Sequence, residues 1–216
     1  MTDEHLDLVG LLGARICHDL ISPLGAVANG LELMEITGQH QGEELELVKA
    51  SSQAANSKLK FFRIAFGRGS PDQMLSPSHL PHGMLEDVLG AGRCDWSTNA
   101  PIPQSHAKLA CLLVLCAHSA LRQHGRIRVK HEGNEILIFA EGQILPDLAP
   151  LLSALGTDQA WPERLEPTHV QFPLARQSAN NSQLTISYNR DVNGFTLKAE
   201  PAEISCEQRR PLPQDT

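Results

Sequence analysis

The chain has 216 residues, 41% of them hydrophobic but only 4% aromatic, and a formal charge of −7. That length holds one ordinary domain or two small ones, with a core of Leu, Val, Ile and Ala. The acidic balance excludes a protein that grips nucleic-acid phosphates, which takes clustered Lys and Arg. Five cysteines with no CxxC pair indicate neither a disulfide framework nor a zinc cluster.

The opening MTDEHLDL lacks the basic and apolar regions of a secretory signal. No stretch is expected to approach the ~18 apolar residues that span a bilayer, so a cytoplasmic protein with no membrane partner is expected. From Leu6 to Met34 the apolar residues recur at helical spacing: Leu6, Val9, Ile16, Leu20, Leu24, Val27, Leu31 and Met34. Gly38 is the expected C-cap, and GQHQG (38–42) a short turn. Leu45, Val48, Ser52, Ala55, Leu59, Phe62 and Phe66 then alternate three and four apart as a heptad seam. The two helices make a helical hairpin over 1–69.

Leu8, Leu12, Leu33, Leu47, Phe61, Ile64 and Ala65 lie off that seam. More apolar surface is present than one hairpin buries, so two hairpins are expected to form one four-helix bundle in a homodimer. The alternative is that the C-terminal half covers the excess.

Residues 70–83 are dense in Gly, Pro and Ser and read as a linker. Beyond it the pattern predicts a helix over 84–89, a strand over 93–96 and an apolar helix over 105–123. Strands over 126–131 and 135–140 come next, then helices over 147–155 and 168–179. Strands over 183–188 and 195–199 close the series around an Asn193-Gly194 turn. This is an α/β sandwich over 84–200, and the polar tail 201–216 is expected to be disordered.

Within the first helix, ICHDLISPL (16–24) places His18 beside Asp19, with Pro23 one turn on. Ile16 and Leu20 face the seam, so His18 shares an outward stripe with Arg15, Ser22, Gly25, Ala26 and Asn29. The small residues leave room for an approaching surface, with Leu11 or Phe61 near enough for an apolar docking helix. No ligand follows at i+4, which argues against a metal site. A phosphoryl carrier fits better. Neutral imidazole is a nucleophile, and a neighbouring carboxylate can hold the proton on the other nitrogen. Pro23 cannot donate to the Asp19 carbonyl and is expected to loosen the helix there. Arg63 lies nearly level with His18 across the hairpin. It is either a contact to the phosphoryl group or partner, or a plain surface arginine.

HDLISPL resembles the H-box of histidine-kinase dimerisation domains at His18, Asp19, Leu20, Pro23 and Leu24, with Ile21 where kinases commonly carry a basic residue. The second half is similar to the kinase ATPase fold in element order but departs from it in chemistry. KLACLLVLCAHSAL (108–121) has Leu115 or Cys116 in place of the magnesium-holding Asn, and EGQIL (141–145) stands where Asp-x-Gly-x-Gly would recognise adenine.

With ICHDLISPLGAVANGLEL (16–33) and PTHVQFPLARQSA (167–179), the chain resembles the ChpT-type histidine phosphotransferases of alphaproteobacteria from about residue 8 to 199. The resemblance implies a dimeric hairpin followed by a degenerate Bergerat-type, ATPase-like α/β sandwich. It further implies a phosphorelay intermediate passing phosphoryl groups from a hybrid kinase's receiver domain to cell-cycle response regulators, with His18 as acceptor. No cofactor of its own is expected; magnesium would belong to the partner receiver. Two other classes stand beside it: a divergent ATP-dependent kinase and a non-catalytic dimeric adaptor.

Overall fold

The computed structural model describes residues 7–38, 42–80, 84–96, 98, 100–122, 125–162 and 164–202. Helix α1 (Leu8–Thr37) is opened by Asp7, whose carboxylate accepts from the Gly10 N–H at 2.9 Å. Gly38 closes it in the left-handed conformation, φ 65°. Helix α2 (Glu43–Ala65) carries Glu43, Glu44 and Glu46 in its first turn, where negative charge offsets the helix dipole. Leu6 and the turn residues 39–41 lie outside the described residues.

The helices run antiparallel, with Gly30 against Val48 and Asp19 against Lys58. A Cβ on Gly30 would come 2.6 Å from Val48 Cγ2, so glycine sets how closely the backbones approach. The contact line follows from this. Pro23, Gly30 and Met34 of α1 are buried, as are Ala55, Ser57, Phe61, Phe62 and Ala65 of α2. The heptad seam is corrected in part: Met34, Ala55 and Phe62 are inside, but Val9, Leu24, Leu31 and Leu59 are exposed. Closest approach through Pro23 and Gly30 turns the larger side chains outward, beside the equally exposed Ile21, Leu33, Ile36 and Leu47.

That apolar surface also corrects the bilayer reading. Leu8–Thr37 is long enough, and over an 18-residue window apolar enough (mean hydropathy 1.2), to cross a membrane by length and composition alone.

The segment read as a linker is strapped to the following sandwich. Strand β1 (Met74–Leu75) pairs antiparallel with β3 (Ile102–Pro103), the Ser70 N–H donates to Gln104 Oε1 at 3.1 Å, and Leu80 is buried. Residues 81–83 lie outside the described residues. Between these strands come the short helix α3 (Leu85–Leu89) and strand β2 (Cys94–Trp96). Helix α4 (Gln104–Ala120) stops at Ala120, where Leu121 turns extended and bridges Ile144. Strands β4 (Arg126–Glu132), β5 (Glu135–Glu141), β6 (Leu184–Arg190) and β7 (Gly194–Pro201) complete a five-stranded sheet with β2, in the order β2-β4-β5-β7-β6. Only β2 and β4 are parallel, because α4 carries the chain across between them.

Alternate residues of β4 and β5 are buried on one sheet face, which α4 and α6 (Gln171–Asn181) cover. The helix predicted over 147–155 is a 3-10 turn (Pro146–Leu148) running into α5 (Ala149–Ala154); a second such turn (Pro167–His169) precedes α6. Strand β7 runs one residue into the predicted tail, of which 203–216 lie outside the described residues. The expected class, a helical hairpin followed by an α/β sandwich, is the observed one.

One apolar core joins the two parts. Phe61, Phe62 and Ala65 share a cluster with Leu109, Leu112 and Leu113 of α4, while Leu11, Ile16 and Ile64 pack against it. The sandwich therefore covers the lower end of the hairpin and leaves the upper apolar strip uncovered. Phe61 is fully buried, so the expectation that it greets a docking helix is corrected.

Candidate functional site

His18 lies about a third of the way along α1 with its side chain 72% exposed, and its Nδ1 is 3.1 Å from Asp19 Oδ1. A carboxylate only accepts, so Nδ1 meets it as an N–H donor, and in the neutral ring the lone pair then lies on Nε2. Asp19 is 18% exposed, and its second oxygen accepts from Arg15 Nε at 2.6 Å. The two neighbours are thus in contact, as expected, with a third group behind Asp19.

That third group corrects a sequence expectation. Arg15 was placed on the outward docking stripe, but it is 9% exposed and turned toward the sandwich. Its Nη1 donates to the Thr168 carbonyl at 2.5 Å and to Gln171 Oε1 at 3.3 Å. Gln171 is 0% exposed and donates through Nε2 to Ser119 Oγ at 2.8 Å. A guanidinium can satisfy its donors inside a crevice lined with acceptors, and Thr168 and Gln171 line one beside α1. The Arg15–Asp19 spacing was legible in the sequence as an i, i+4 pair. Gln171 and Thr168 belong to the segment that carries the family resemblance, and the one local signal for them is a glutamine between Val170 and Phe172.

The rest of the stripe is where helical spacing puts it. Ser22, Gly25 and Asn29 are exposed and Ala26 half-buried, with open space around Gly25. Arg63 is exposed, and the residue that reaches across the hairpin is Lys58. Its Nζ donates to the Asp19 carbonyl at 3.2 Å. That carbonyl is the one Pro23 cannot serve, and Lys58 supplies the missing donor. Helix α1 runs through Pro23 as one element.

Beside this pair opens a cleft lined by Arg15, Asp19, Arg93, His118, Ser119, Thr168 and His169. Burial pushes His118 down to about 4; Arg93 and Arg15 add to the shift and Asp19 opposes it. His169 is lowered too, first by burial. The sign follows directly. The unfolded chain protonates His118 near 6.5 while the folded one refuses until about 4, so stability falls as pH drops through that window. The loss is at most about 3 kcal/mol for His118. Melting curves at pH 7 and pH 5 should show a lower midpoint at pH 5, with His118→Gln narrowing the difference; equal midpoints for the native protein would contradict this.

Among the described residues, no three His, Cys, Asp or Glu side chains converge to hold a metal ion. Leu115 and Cys116 of α4, where kinases place their magnesium-binding Asn, are buried.

A long helical hairpin with an exposed, carboxylate-paired histidine, seated on a five-stranded α/β sandwich, is the arrangement to set beside known proteins. The family model described as histidine phosphotransferase C-terminal domain matches residues 81–194, more than half of the chain. The chain belongs to that family. It is 28% identical over 207 residues to the protein phosphotransferase ChpT of Brucella abortus, covering 93% of this chain and 98% of that one. A bacterial phosphotransferase solved at 1.7 Å superposes with a TM-score of 0.72 at 28% identity, again over 93% of this chain and 98% of that one. The family match begins after α2, so His18 rests on the geometry of α1.

Proposed function

We propose that this histidine phosphotransferase is a phosphorelay intermediate with His18 as its phosphoryl carrier. It takes the group from the receiver aspartate of a hybrid histidine kinase and passes it to response regulators of cell-cycle type. The observation that carries the reading is the Nδ1–Asp19 contact on a side chain that is 72% exposed. The Nε2 lone pair attacks phosphorus, the P–O bond to the receiver aspartate breaks, and the electron pair leaves with that carboxylate. The Nδ1 proton stays on the ring, held by Asp19, and the reverse step loads the next receiver. The receiver brings its own magnesium. ATP is not a substrate in this reading, and the cytoplasm is the place of action. The test is to offer labelled phospho-receiver and labelled ATP in parallel and map acid-labile label by mass spectrometry. Label on His18 from the receiver alone is the expected result; label from ATP would make the protein a kinase.

Transfer needs the donor within about 3–3.5 Å of the imidazole nitrogen, so the receiver presses on the bundle beside His18. Ser22, Gly25, Ala26 and Asn29 give it clearance. Ala26→Trp should block transfer in both directions while leaving the fold unchanged. Exchange at the native rate in that variant would move the docking face elsewhere.

The exposed Ile21, Leu24, Leu31, Leu33 and Ile36 of α1, with Leu47 and Leu59 of α2, support a homodimer built as a four-helix bundle. An obligate interface of that kind buries roughly 2,000 Å² or more. Light scattering should give twice the 23.6 kDa chain mass at micromolar concentration; a particle of single-chain mass would contradict it.

A further inference from the structure

We infer that Gln171 and Arg15 are positioning residues through which the C-terminal sandwich fixes the His18–Asp19 pair, an inference that rests on His18 being the phosphoryl acceptor. The contacts form one unbroken chain. Ser119 Oγ on α4 accepts from Gln171 Nε2 at 2.8 Å, Gln171 Oε1 accepts from Arg15 Nη1 at 3.3 Å, Arg15 Nε donates to Asp19 Oδ2 at 2.6 Å, and Asp19 Oδ1 lies 3.1 Å from His18 Nδ1. Thr168 adds its carbonyl to the same guanidinium nitrogen as Gln171.

Each link restricts the next. Both ends of the Gln171 amide are engaged with different partners, so its orientation is specified. The guanidinium is planar, and with Nη1 tied to the sandwich its Nε–H points in one direction. That direction selects the Asp19 rotamer, and the second carboxylate oxygen then stands at the imidazole. An aspartate on an open helix surface would sample several rotamers and meet the ring only part of the time. Held from behind, it shifts the tautomer balance toward the proton on Nδ1 and the lone pair on Nε2. Gln171 is fully buried and touches no receiver, so any influence on transfer must travel through Arg15. The sandwich thereby acquires a use in the reaction that requires no nucleotide.

Two measurements on the full chain test this. Imidazole ¹⁵N shifts of His18 report the tautomer without any phosphate. Single-turnover transfer from an isolated receiver domain charged with acetyl phosphate, chosen because it loads the native protein, separates the saturating rate from the half-saturating concentration. Gln171→Leu should shift His18 toward an ordinary tautomer mixture and lower the saturating rate by about ten- to a hundred-fold, with half-saturation unchanged. Gln171→Glu, which still accepts from Arg15, should restore both readouts. A merely structural role would lower the melting temperature of Gln171→Leu and leave tautomer and saturating rate untouched, overturning the inference. If Gln171→Leu does not fold, Ser119→Ala removes only the glutamine's anchor and is read in the same way. Failure of the acceptor reading would show separately, as native protein that takes no phosphate on His18; the tautomer comparison would still decide the coupling.

Discussion

His18→Gln should lose all acid-labile phosphate uptake from a charged receiver while keeping its fold. The loss should be complete because, among the described residues, His18 is the imidazole that pairs with a carboxylate. His118 lies in the same cleft but is largely buried, and His169 stands on the sandwich side of Arg15. The His18 side chain is mostly exposed and its only described polar partner is Asp19, so glutamine costs little packing. Surface substitutions of this kind usually move stability by no more than about 0.5 kcal/mol. Residual label in this variant would place the acceptor elsewhere. Asp19→Asn is the informative companion. It leaves the nucleophile in place but removes the carboxylate that holds the Nδ1 proton, so a rate loss with label still on His18 is expected.

Phe61→Ala should destabilise the folded chain by about 3–5 kcal/mol, read as a shift in the denaturant midpoint at fixed protein concentration. The ring is fully buried, packs edge-on to Phe62 at 6.3 Å, and belongs to the cluster that includes the apolar face of α4. Truncation would leave a cavity between hairpin and sandwich, where neither side can collapse without moving a helix. A loss below about 1 kcal/mol would mean that the two parts hold together by other contacts. The same variant should loosen the seat of Thr168 and Gln171 against Arg15. A reduced transfer rate is therefore expected even at denaturant-free stability.

Much of the architecture was legible in the chain because local chemistry writes it there. Helical spacing, the Gly38 cap and the alternation of β4 and β5 each depend on near neighbours; the turn expected at Asn193-Gly194 is corrected by one residue, since Gly194 already pairs in β7 and Val192-Asn193 make the bend. The His18–Asp19 contact was readable for the same reason, since it joins adjacent residues. The β1–β3 pairing was not, because two-residue strands have no periodicity and their partners lie about 28 residues apart. The seam was misread where spacing alone could not show that Gly30 brings Val48 close and turns Leu24 and Leu31 outward.

The sequence by itself determined the class of fold, the helix that bears the histidine, and the acid that meets its ring, because all three follow from patterns within a few turns of chain. Only the tertiary structure decided the surroundings of that ring. Arg15 is an outward residue by helical position and an inward one by contact, since acceptors 153 and 156 positions away draw its guanidinium into the sandwich. Lys58 answers the carbonyl that Pro23 leaves open only because the hairpin closes at that register. A charged side chain long enough to reach two environments goes where its donors are satisfied, and the location of those acceptors is a property of the folded chain.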